Sequence, residues 1–106
     1  MSNDWRTLVG SETGLDLIAI ERFRQVDQEG YSPEHDDHHV PDELVWAAIC
    51  YATPPVRRRY YGPPLREWPW KMGDWKPAPD DRIRELVKAG ALIAAEIDRL
   101  IRTESS

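Results

Sequence analysis

Residues 57–76 combine the two kinds of side chain that hold a nucleotide, namely arginine or lysine and large aromatic rings. Aromatic faces stack on bases, and guanidinium groups bind phosphate through paired hydrogen bonds. Because basic and aromatic residues interleave along this segment, it could surround a ligand of nucleotide size, either free or within a single strand. The candidate ligand-binding residues are Arg57, Arg58, Arg59, Arg66, Trp68, Trp70, Trp75 and Lys76.

The same residues also have a purely structural interpretation. A bundle of a few short helices leaves an apolar edge, which tryptophan side chains can cover. Three adjacent arginines are not needed for that purpose, although they can form a solvated turn. The sequence leaves both interpretations open, with some tryptophans in the core and others facing a ligand.

An acidic segment, residues 27–43, contains seven carboxylates and three histidines but no lysine or arginine. Imidazole and carboxylate groups together suit Zn²⁺ or Mn²⁺, and carboxylates alone suit Mg²⁺. The spacing matches no standard metal motif, so a divalent metal is a hypothesis. The candidate metal ligands are His35, Asp36, Asp37 and His39.

An internal ion pair is the alternative interpretation of this acidic segment. Glu21, Arg22 and Arg24 lie near the middle of the preceding helical stretch, and either arginine could form a bridge to Asp36. The aspartates would then satisfy the backbone of a turn, and the histidines would titrate in solvent. We therefore assign Glu21, Arg22 and Arg24 a role in organising the loop.

Apolar periodicity predicts an all-α fold, a small bundle of three main helices in a single domain of 106 residues. Seven of the nine prolines fall between the second and third helices, which predicts a loop, and the aromatic residues there favour an ordered one. The predicted order is an N-terminal arm (1–13), a helix (14–29), the acidic loop (30–40), a helix (41–52), a long loop rich in proline and tryptophan (53–79) and a helix (80–102).

The last predicted helix carries a near-heptad apolar stripe that begins at Ile83. Gly90, Ala91, Ala94 and Ala95 form a patch of small residues on this helix, and such a patch lets another helix approach closely. The partner is either a helix of the same chain or the same helix of a second copy. We predict a homodimer.

The overall composition argues against several classes of protein. The formal net charge of −5 disfavours binding to duplex DNA, which needs an excess of basic residues. No apolar run approaches the roughly 20 residues of a membrane-spanning helix, and the N-terminus lacks the pattern of a signal peptide. The single cysteine, Cys50, cannot form an internal disulfide. We therefore expect a cytoplasmic protein with no membrane partner.

Several sequence motifs occur together over about residues 15–102. They are Glu21-Arg-Phe-Arg-Gln, Glu29-Gly-Tyr-Ser-Pro-Glu-His-Asp-Asp-His-His, Glu43-Leu-Val-Trp-Ala-Ala, Trp68-Pro-Trp, Trp75-Lys-Pro and Leu86-Val-Lys-Ala-Gly-Ala-Leu-Ile-Ala-Ala-Glu-Ile-Asp-Arg-Leu. These motifs resemble a family of small phage and prophage accessory proteins. The resemblance implies a bacterial host cell as the setting, and action against host defence or on host nucleotide pools as the function.

Two smaller likenesses also concern nucleotides. The chain is similar to all-helical pyrophosphohydrolases of the MazG type, which bind Mg²⁺ through carboxylates on neighbouring helices. The paired-Glu helix motif of that family is missing here, and the Glu-x-x-Asp from Glu34 to Asp37 lies in a predicted loop. The stretch from Arg24 through Tyr31 and the acidic loop resemble ryanodine-receptor-type repeats, a group suspected of nucleotide sensing.

These observations lead to three functional hypotheses. The first is binding and sequestration of a nucleotide-derived small molecule, such as a cyclic nucleotide or an ADP-ribose-type immune signal of the host. The second is a metal-dependent nucleotide phosphohydrolase, either MazG-like or cleaving cyclic nucleotides. The third is a protein-binding inhibitor of a host defence complex, in the manner of an anti-CRISPR protein. The first needs neither metal nor turnover, the second needs both, and the third needs a protein partner.

Overall fold

The computed structural model of this chain describes residues 13–28, 42–61 and 67–105, and these residues form four α-helices and one short 3₁₀ helix. No β-strand occurs within these ranges, so the all-α prediction is confirmed. No helix within them combines the length and apolar character needed to span a bilayer. The helices are α1 (Gly14–Gln28), α2 (Glu43–Ala52), α3 (Pro55–Tyr61), the 3₁₀ helix (Met72–Asp74) and α4 (Arg82–Ser105).

Side-chain caps show why α1 and α4 begin where they do. The hydroxyl oxygen of Thr13 accepts a hydrogen bond from the backbone N–H of Asp16 at 3.2 Å. Asp81 Oδ1 accepts one from the backbone N–H of Arg84 at 3.1 Å. Each contact satisfies an amide in the first turn that has no partner within its own helix.

Helix α3 is the main difference from the sequence prediction, which has a continuous loop over residues 53–79. Pro55 occupies the first position of α3, where its missing N–H and restricted φ are compatible with a helix. No glycine interrupts the chain between Pro55 and Gly62, so nearly two turns of helix form. The loop prediction is wrong over these seven residues because the proline begins a helix here instead of breaking one.

The core forms where α4 packs against α2. Leu44 and Leu92 are almost completely buried between them, and each contributes about 1.5–3 kcal/mol through removal of its side chain from water. Several members of the cluster are alanines, which let the two helices approach closely. The buried cluster consists of Leu44, Ala47, Ala48, Tyr51, Ala89, Leu92 and Ala95.

Helix α1 packs against a second face of α4 and runs antiparallel to it. Glu21 on α1 pairs with Arg84 near the start of α4, while Ile18, one turn earlier on α1, reaches Gly90 further along α4. A Cβ atom at position 90 would lie 2.6 Å from Ile18 Cδ1, so only glycine leaves this side chain its present position. Gly90 in the predicted small-residue patch therefore accommodates a helix of the same chain.

Candidate functional site

A cleft lies between α1, α2, α4 and residues 67–76, which we call the tryptophan segment. The cleft is shallow: its enclosed part has a volume of about 20 Å³, which is room for about one water molecule, and the rest of it is open to the surface. Its wall combines aromatic, cationic, carboxylate and amide side chains, a combination typical of sites that orient a polar ligand. The lining residues are Glu21, Arg24, Gln25, Tyr51, Trp68, Trp70, Asp74, Lys76, Lys88 and Leu92.

Glu21 is the buried carboxylate of the cleft. Its oxygens accept hydrogen bonds from Arg24 Nε at 2.9 Å, from Arg24 Nη2 at 2.7 Å and from Arg84 Nη1 at 2.7 Å. Burial by itself raises the pKa of the Glu21 carboxyl, but the hydrogen bonds from Arg24 and the charge of Arg84 outweigh burial and lower the pKa below its ordinary value of 4.5. Glu21 is therefore ionised at neutral pH and holds the Arg24 guanidinium at the cleft.

Gln25 is a buried amide beside Glu21 in the cleft wall. The residue is 3% exposed, and its Nε2 donates a hydrogen bond to Glu21 Oε2 at 3.3 Å. Because an ionised carboxylate can only accept, the amide must turn its nitrogen toward Glu21 and its oxygen away. Within the described part of the chain, no protein group donates to that oxygen, Oε1. A buried acceptor is costly without a donor, so Gln25 would gain from one N–H or O–H group that reached this oxygen from the cleft.

The charged residues of the cleft wall have a local excess of positive charge. Arg24, Lys76 and Lys88 line the cleft, against the two carboxylates of Glu21 and Asp74. The whole chain, by contrast, has a formal net charge of −5. Because part of this wall is shielded from water, an anion in the cleft is attracted more strongly than one on the open surface.

Four aromatic rings form a cluster that includes part of the cleft wall. The ring centroid of Tyr51 is 4.7 Å from that of Trp75 and 5.8 Å from that of Trp68. Trp68 also makes edge contacts with Trp70 at 5.4 Å and with Trp75 at 5.0 Å. All three tryptophans pack against the buried core cluster, as in the structural interpretation, and Trp68 and Trp70 also line the cleft.

Tyr51 and Lys88 hold the backbone of the tryptophan segment in place. The backbone N–H of Lys76 donates to Tyr51 Oη at 3.1 Å, and the carbonyl oxygen of Lys76 accepts from Lys88 Nζ at 2.8 Å. Lys88 Nζ also lies 5.3 Å from the centroid of the Tyr51 ring, a distance at which a cation–π attraction operates. Residues of α2 and α4 thus position this side of the cleft.

A second buried carboxylate, Glu85, connects α3, α4 and the end of the long connection before α4. Its Oε2 accepts from Arg58 Nη2 at 2.6 Å and from the backbone N–H of Ala78 at 3.1 Å, and its Oε1 accepts from Arg82 Nη1 at 3.0 Å. Arg58 also donates to the carbonyl oxygen of Thr53 at 2.6 Å, just after α2. This network fixes the chain on both sides of the tryptophan segment.

The cleft brings together part of each predicted set of residues. Three predicted ligand residues line it, as do two of the three residues assigned to loop organisation. Glu21 accepts hydrogen bonds from side chains of α1 and α4, and Arg24 donates to Glu21; the effect of these two residues on the acidic loop stays a prediction. These residues are Trp68, Trp70 and Lys76 from the first set, and Glu21 and Arg24 from the second.

Other predicted site residues lie elsewhere in the fold. Arg57 is exposed on α3, and Arg22 is partly exposed on α1, and neither lines the cleft. Arg58 is buried, with its guanidinium carbon 5.3 Å from the centroid of Trp75. The buried Arg58 guanidinium and the partly buried Trp75 ring therefore contact each other.

The remaining candidates lie outside the described residues. Arg66 and the side chain of Arg59 are in this group, as are the four candidate metal ligands His35, Asp36, Asp37 and His39. Among residues 13–28, 42–61 and 67–105, no group of three or more histidine, cysteine, aspartate or glutamate residues could hold a metal ion. The metal site therefore stays a prediction.

Sequence reasoning did not select several residues of the cleft wall. Leu17, Glu21 and Gln25 follow one another at intervals of four, so they share one face of α1, and this spacing could have indicated Gln25. No comparable local signal marks Lys88, because its contacts are to the tryptophan segment and to α2. The residues of the cleft that were not selected are Gln25, Tyr51, Asp74, Lys88 and Leu92.

Comparison with known proteins identifies no relative: no protein-family model, curated protein or solved structure matches the chain. The resemblance to small phage proteins therefore stays a prediction. The chemistry of the cleft is the basis on which a function can be argued.

The lowered pKa of Glu21 leads to a prediction about acid stability. A carboxyl with a lowered pKa in the folded state contributes stability that is complete above its unfolded pKa and is lost as the pH falls through its folded pKa. At pH values under about 4.5, we therefore expect the free energy of unfolding to decrease more steeply with falling pH in the wild type than in Glu21→Gln. Urea unfolding between pH 7 and pH 2.5 measures both curves.

The matched control for this prediction is Asp27→Asn, an exposed carboxylate on the same helix. We expect this variant to keep the wild-type dependence on pH. At neutral pH, Glu21→Gln is expected to be less stable than the wild type because Arg24 and Arg84 lose their ionised partner. Parallel curves for the wild type and Glu21→Gln would contradict the assigned role of Glu21.

Proposed function

We propose that this protein binds a nucleotide-derived small anion in the cleft and holds it unchanged. The observation that carries this proposal is the buried oxygen of Gln25, an acceptor with no donor among the described residues. The exocyclic amino groups of adenine, guanine and cytosine are donors of the required kind. If the base donates to the Gln25 oxygen, the rest of the cleft is left to bind the sugar and the phosphate.

The other walls of the cleft support the same class of ligand. Trp68 and Trp70 offer aromatic surface for a base, which contributes on the order of 1–3 kcal/mol per stacked base. Lys76 and Lys88 offer cationic groups for phosphate, and each charge-assisted hydrogen bond contributes about 1.5–3 kcal/mol. One stack and two such contacts together contribute about 4–9 kcal/mol before the entropic cost of association, so micromolar affinity requires further contacts to the ligand.

Binding without turnover fits the cleft better than hydrolysis does. Of the two carboxylates in the wall, Glu21 already accepts hydrogen bonds from Arg24, Arg84 and Gln25, which makes it a poor general base. The second function, a metal-dependent phosphohydrolase, would need a cation held by His35, Asp36, Asp37 and His39 close to the ligand. Retention of an intact ligand, and not product release, is therefore the expected outcome.

The motif resemblance suggests what such binding would achieve. In the cytoplasm of a bacterial host, a phage accessory protein of this kind would sequester a cyclic nucleotide or an ADP-ribose-type immune signal. Inhibition of a host defence complex through a direct protein contact is the third function, and a host protein would then be the partner. Sequestration alone makes use of the cleft.

A panel of nucleotides tests the proposal directly. The protein is incubated with AMP, cyclic AMP, cyclic GMP, ADP-ribose and a cyclic dinucleotide, and the solution is analysed by chromatography before and after heat denaturation. We expect one compound to disappear from the free pool and to return intact after heating. Appearance of a product would favour the phosphohydrolase, and no binding by any compound would remove the small-molecule proposal.

Two variants test which residues of the cleft bind the nucleotide. Lys76→Ala removes a cation from the wall, and Gln25→Leu removes the buried acceptor. We expect each to weaken binding of the retained nucleotide by about 10- to 100-fold, as loss of one charge-assisted or buried hydrogen bond does. Calorimetric titration measures the dissociation constant.

The matched control is Lys71→Ala, which removes a lysine of the same segment that does not line the cleft. We expect this variant to bind as the wild type does. Equal losses for Lys71→Ala and Lys76→Ala would indicate general electrostatic attraction and would contradict a defined phosphate position.

A further inference from the structure

The side-chain amide of Gln25 has a defined orientation in the wall of the cleft. Its Nε2 donates to Glu21 Oε2 at 3.3 Å, and the reversed amide would set its oxygen against that carboxylate oxygen. Because Glu21 is ionised, it can only accept, so it pairs with the nitrogen of the amide and not with the oxygen. The oxygen of Gln25 is therefore the end of the amide that can pair with a ligand.

Buried contacts from two helices keep Glu21 in this position. Its Oε1 accepts from Arg24 on α1 and from Arg84 on α4, and its Oε2 accepts from Arg24. Glu21 and Gln25 are 2% and 3% exposed, so water does not compensate for a reversed amide. Reversal would leave two buried acceptors in contact, which is costly at low local dielectric. The amide thus keeps one orientation whichever base approaches it.

The size of the cleft limits the kind of group that can approach Gln25. Its enclosed part, about 20 Å³, has room for about one water molecule. An amino group is of that size and a base ring is not, so the ring would lie at the open side against Trp68 or Trp70. Neighbouring atoms cover the Gln25 oxygen, so a donor reaches it after a small side-chain rotation in the wall, a common change on binding.

The charges of the wall favour a neutral amino group over an ammonium ion. Glu21 is already paired with two arginines, and Lys76 and Lys88 outnumber the remaining carboxylate, Asp74. A primary ammonium group is repelled by such a wall, whereas the exocyclic amino group of a base is uncharged and still donates. The phosphate of the same ligand supplies the negative charge that the two lysines attract.

We infer that the cleft selects a nucleotide by the exocyclic amino group of its base, and that Glu21 imposes this selection by holding the Gln25 amide with its oxygen toward the ligand. The selection rests on the proposed function and narrows the ligand to bases such as adenine and cytosine. A carbonyl at the same position, as in hypoxanthine or uracil, sets an acceptor against an acceptor. Gln25 is the contact residue, and Glu21 acts through it as a positioning residue.

Nucleotides that differ in a single group test the selection. Calorimetric titration of the full chain compares AMP with purine riboside monophosphate, where hydrogen replaces the amino group, and with IMP, where a carbonyl replaces it. We expect AMP to bind about 10- to 100-fold more tightly than purine riboside monophosphate, as one buried hydrogen bond does, and IMP to bind most weakly. Cyclic AMP against cyclic IMP, and CMP against UMP, distinguish the amino group of adenine from that of cytosine.

Three variants separate this selection from general binding. Gln25→Met replaces the amide with an apolar side chain of similar length, so the ratio of AMP to IMP affinity should fall to about 1. In Glu21→Gln the new amide can donate, so Gln25 can reverse and the ratio should also fall. Lys76→Ala is the control: loss of a phosphate contact should weaken AMP and IMP equally and leave their ratio unchanged.

The outcomes distinguish the selection from nucleotide binding itself. Equal binding of both members of every pair overturns the selection and leaves the proposed function standing, whereas no binding by any nucleotide overturns both. A preference for AMP that Gln25→Met retains overturns the role of Gln25, and one that a folded Glu21→Gln retains overturns the role of Glu21. That role is also tested in the wild type by NMR, where slow hydrogen exchange of the Gln25 amide is expected and fast exchange would contradict it.

Discussion

Arg58→Ala is expected to lower the free energy of unfolding by about 3 kcal/mol, as loss of one partner of a buried ion pair does. Arg58 and Glu85 are both buried, and Arg58 Nη2 lies 2.6 Å from Glu85 Oε2. Removal of the arginine leaves Glu85 with Arg82 and the backbone N–H of Ala78 as partners, so the loss is at the lower end of the range for a broken buried pair. Urea unfolding followed by circular dichroism measures it.

Arg57→Ala is the matched control because it removes the same side chain from the adjacent residue of α3, where that side chain is exposed. We expect its free energy of unfolding to stay close to that of the wild type, as is usual for surface substitutions. In the nucleotide panel, Arg57→Ala should bind as the wild type does, since Arg57 does not line the cleft. Equal effects of the two substitutions on stability would show that the Arg58–Glu85 pair is not important for the fold.

Trp75→Ala is expected to destabilise the protein by about 3 kcal/mol or more, in line with truncation of a large packed aromatic side chain. Trp75 contacts Tyr51 and Trp68 with centroid distances of 4.7 Å and 5.0 Å, and the Arg58 guanidinium lies over its ring. These contacts disappear together in the alanine variant, and the tryptophan segment loses one of its attachments to α2. A thermal or urea melt measures the loss.

Two further variants distinguish packing from ligand binding at this position. Trp75→Phe keeps an aromatic ring and should recover much of the lost stability. Trp46→Ala should have a smaller effect than Trp75→Ala, because Trp46 is on the exposed side of α2 and is 43% exposed. If Trp75→Ala instead keeps the wild-type melting temperature and abolishes nucleotide binding, Trp75 is a ligand-stacking residue and its structural assignment fails.

Local patterns in the sequence were sufficient for the three main helices. Apolar residues at intervals of three and four predicted helices at 14–29, 41–52 and 80–102, and α1, α2 and α4 cover most of these ranges. These patterns depend on residues within one or two helical turns of each other, so they can be recognised without knowledge of the fold. Helix α3 was missed because proline is a signal both for a loop and for the first turn of a helix.

The roles of individual charged and polar residues were decided by the tertiary structure. Nothing in the run of three arginines distinguishes Arg58 from Arg57, and only the position of Glu85, 27 residues later, makes one of them internal. The partner of Glu21 on α4 is 63 residues away, and that contact, with the one from Arg24, is what lowers its pKa. The composition of residues 57–76 was enough to indicate an aromatic and basic site, because composition shows which kinds of side chain are present. The cleft itself forms because the packing of α1 and α2 against α4 brings particular side chains within hydrogen-bonding distance. The spacing of residues along one segment carries no information about such contacts between segments.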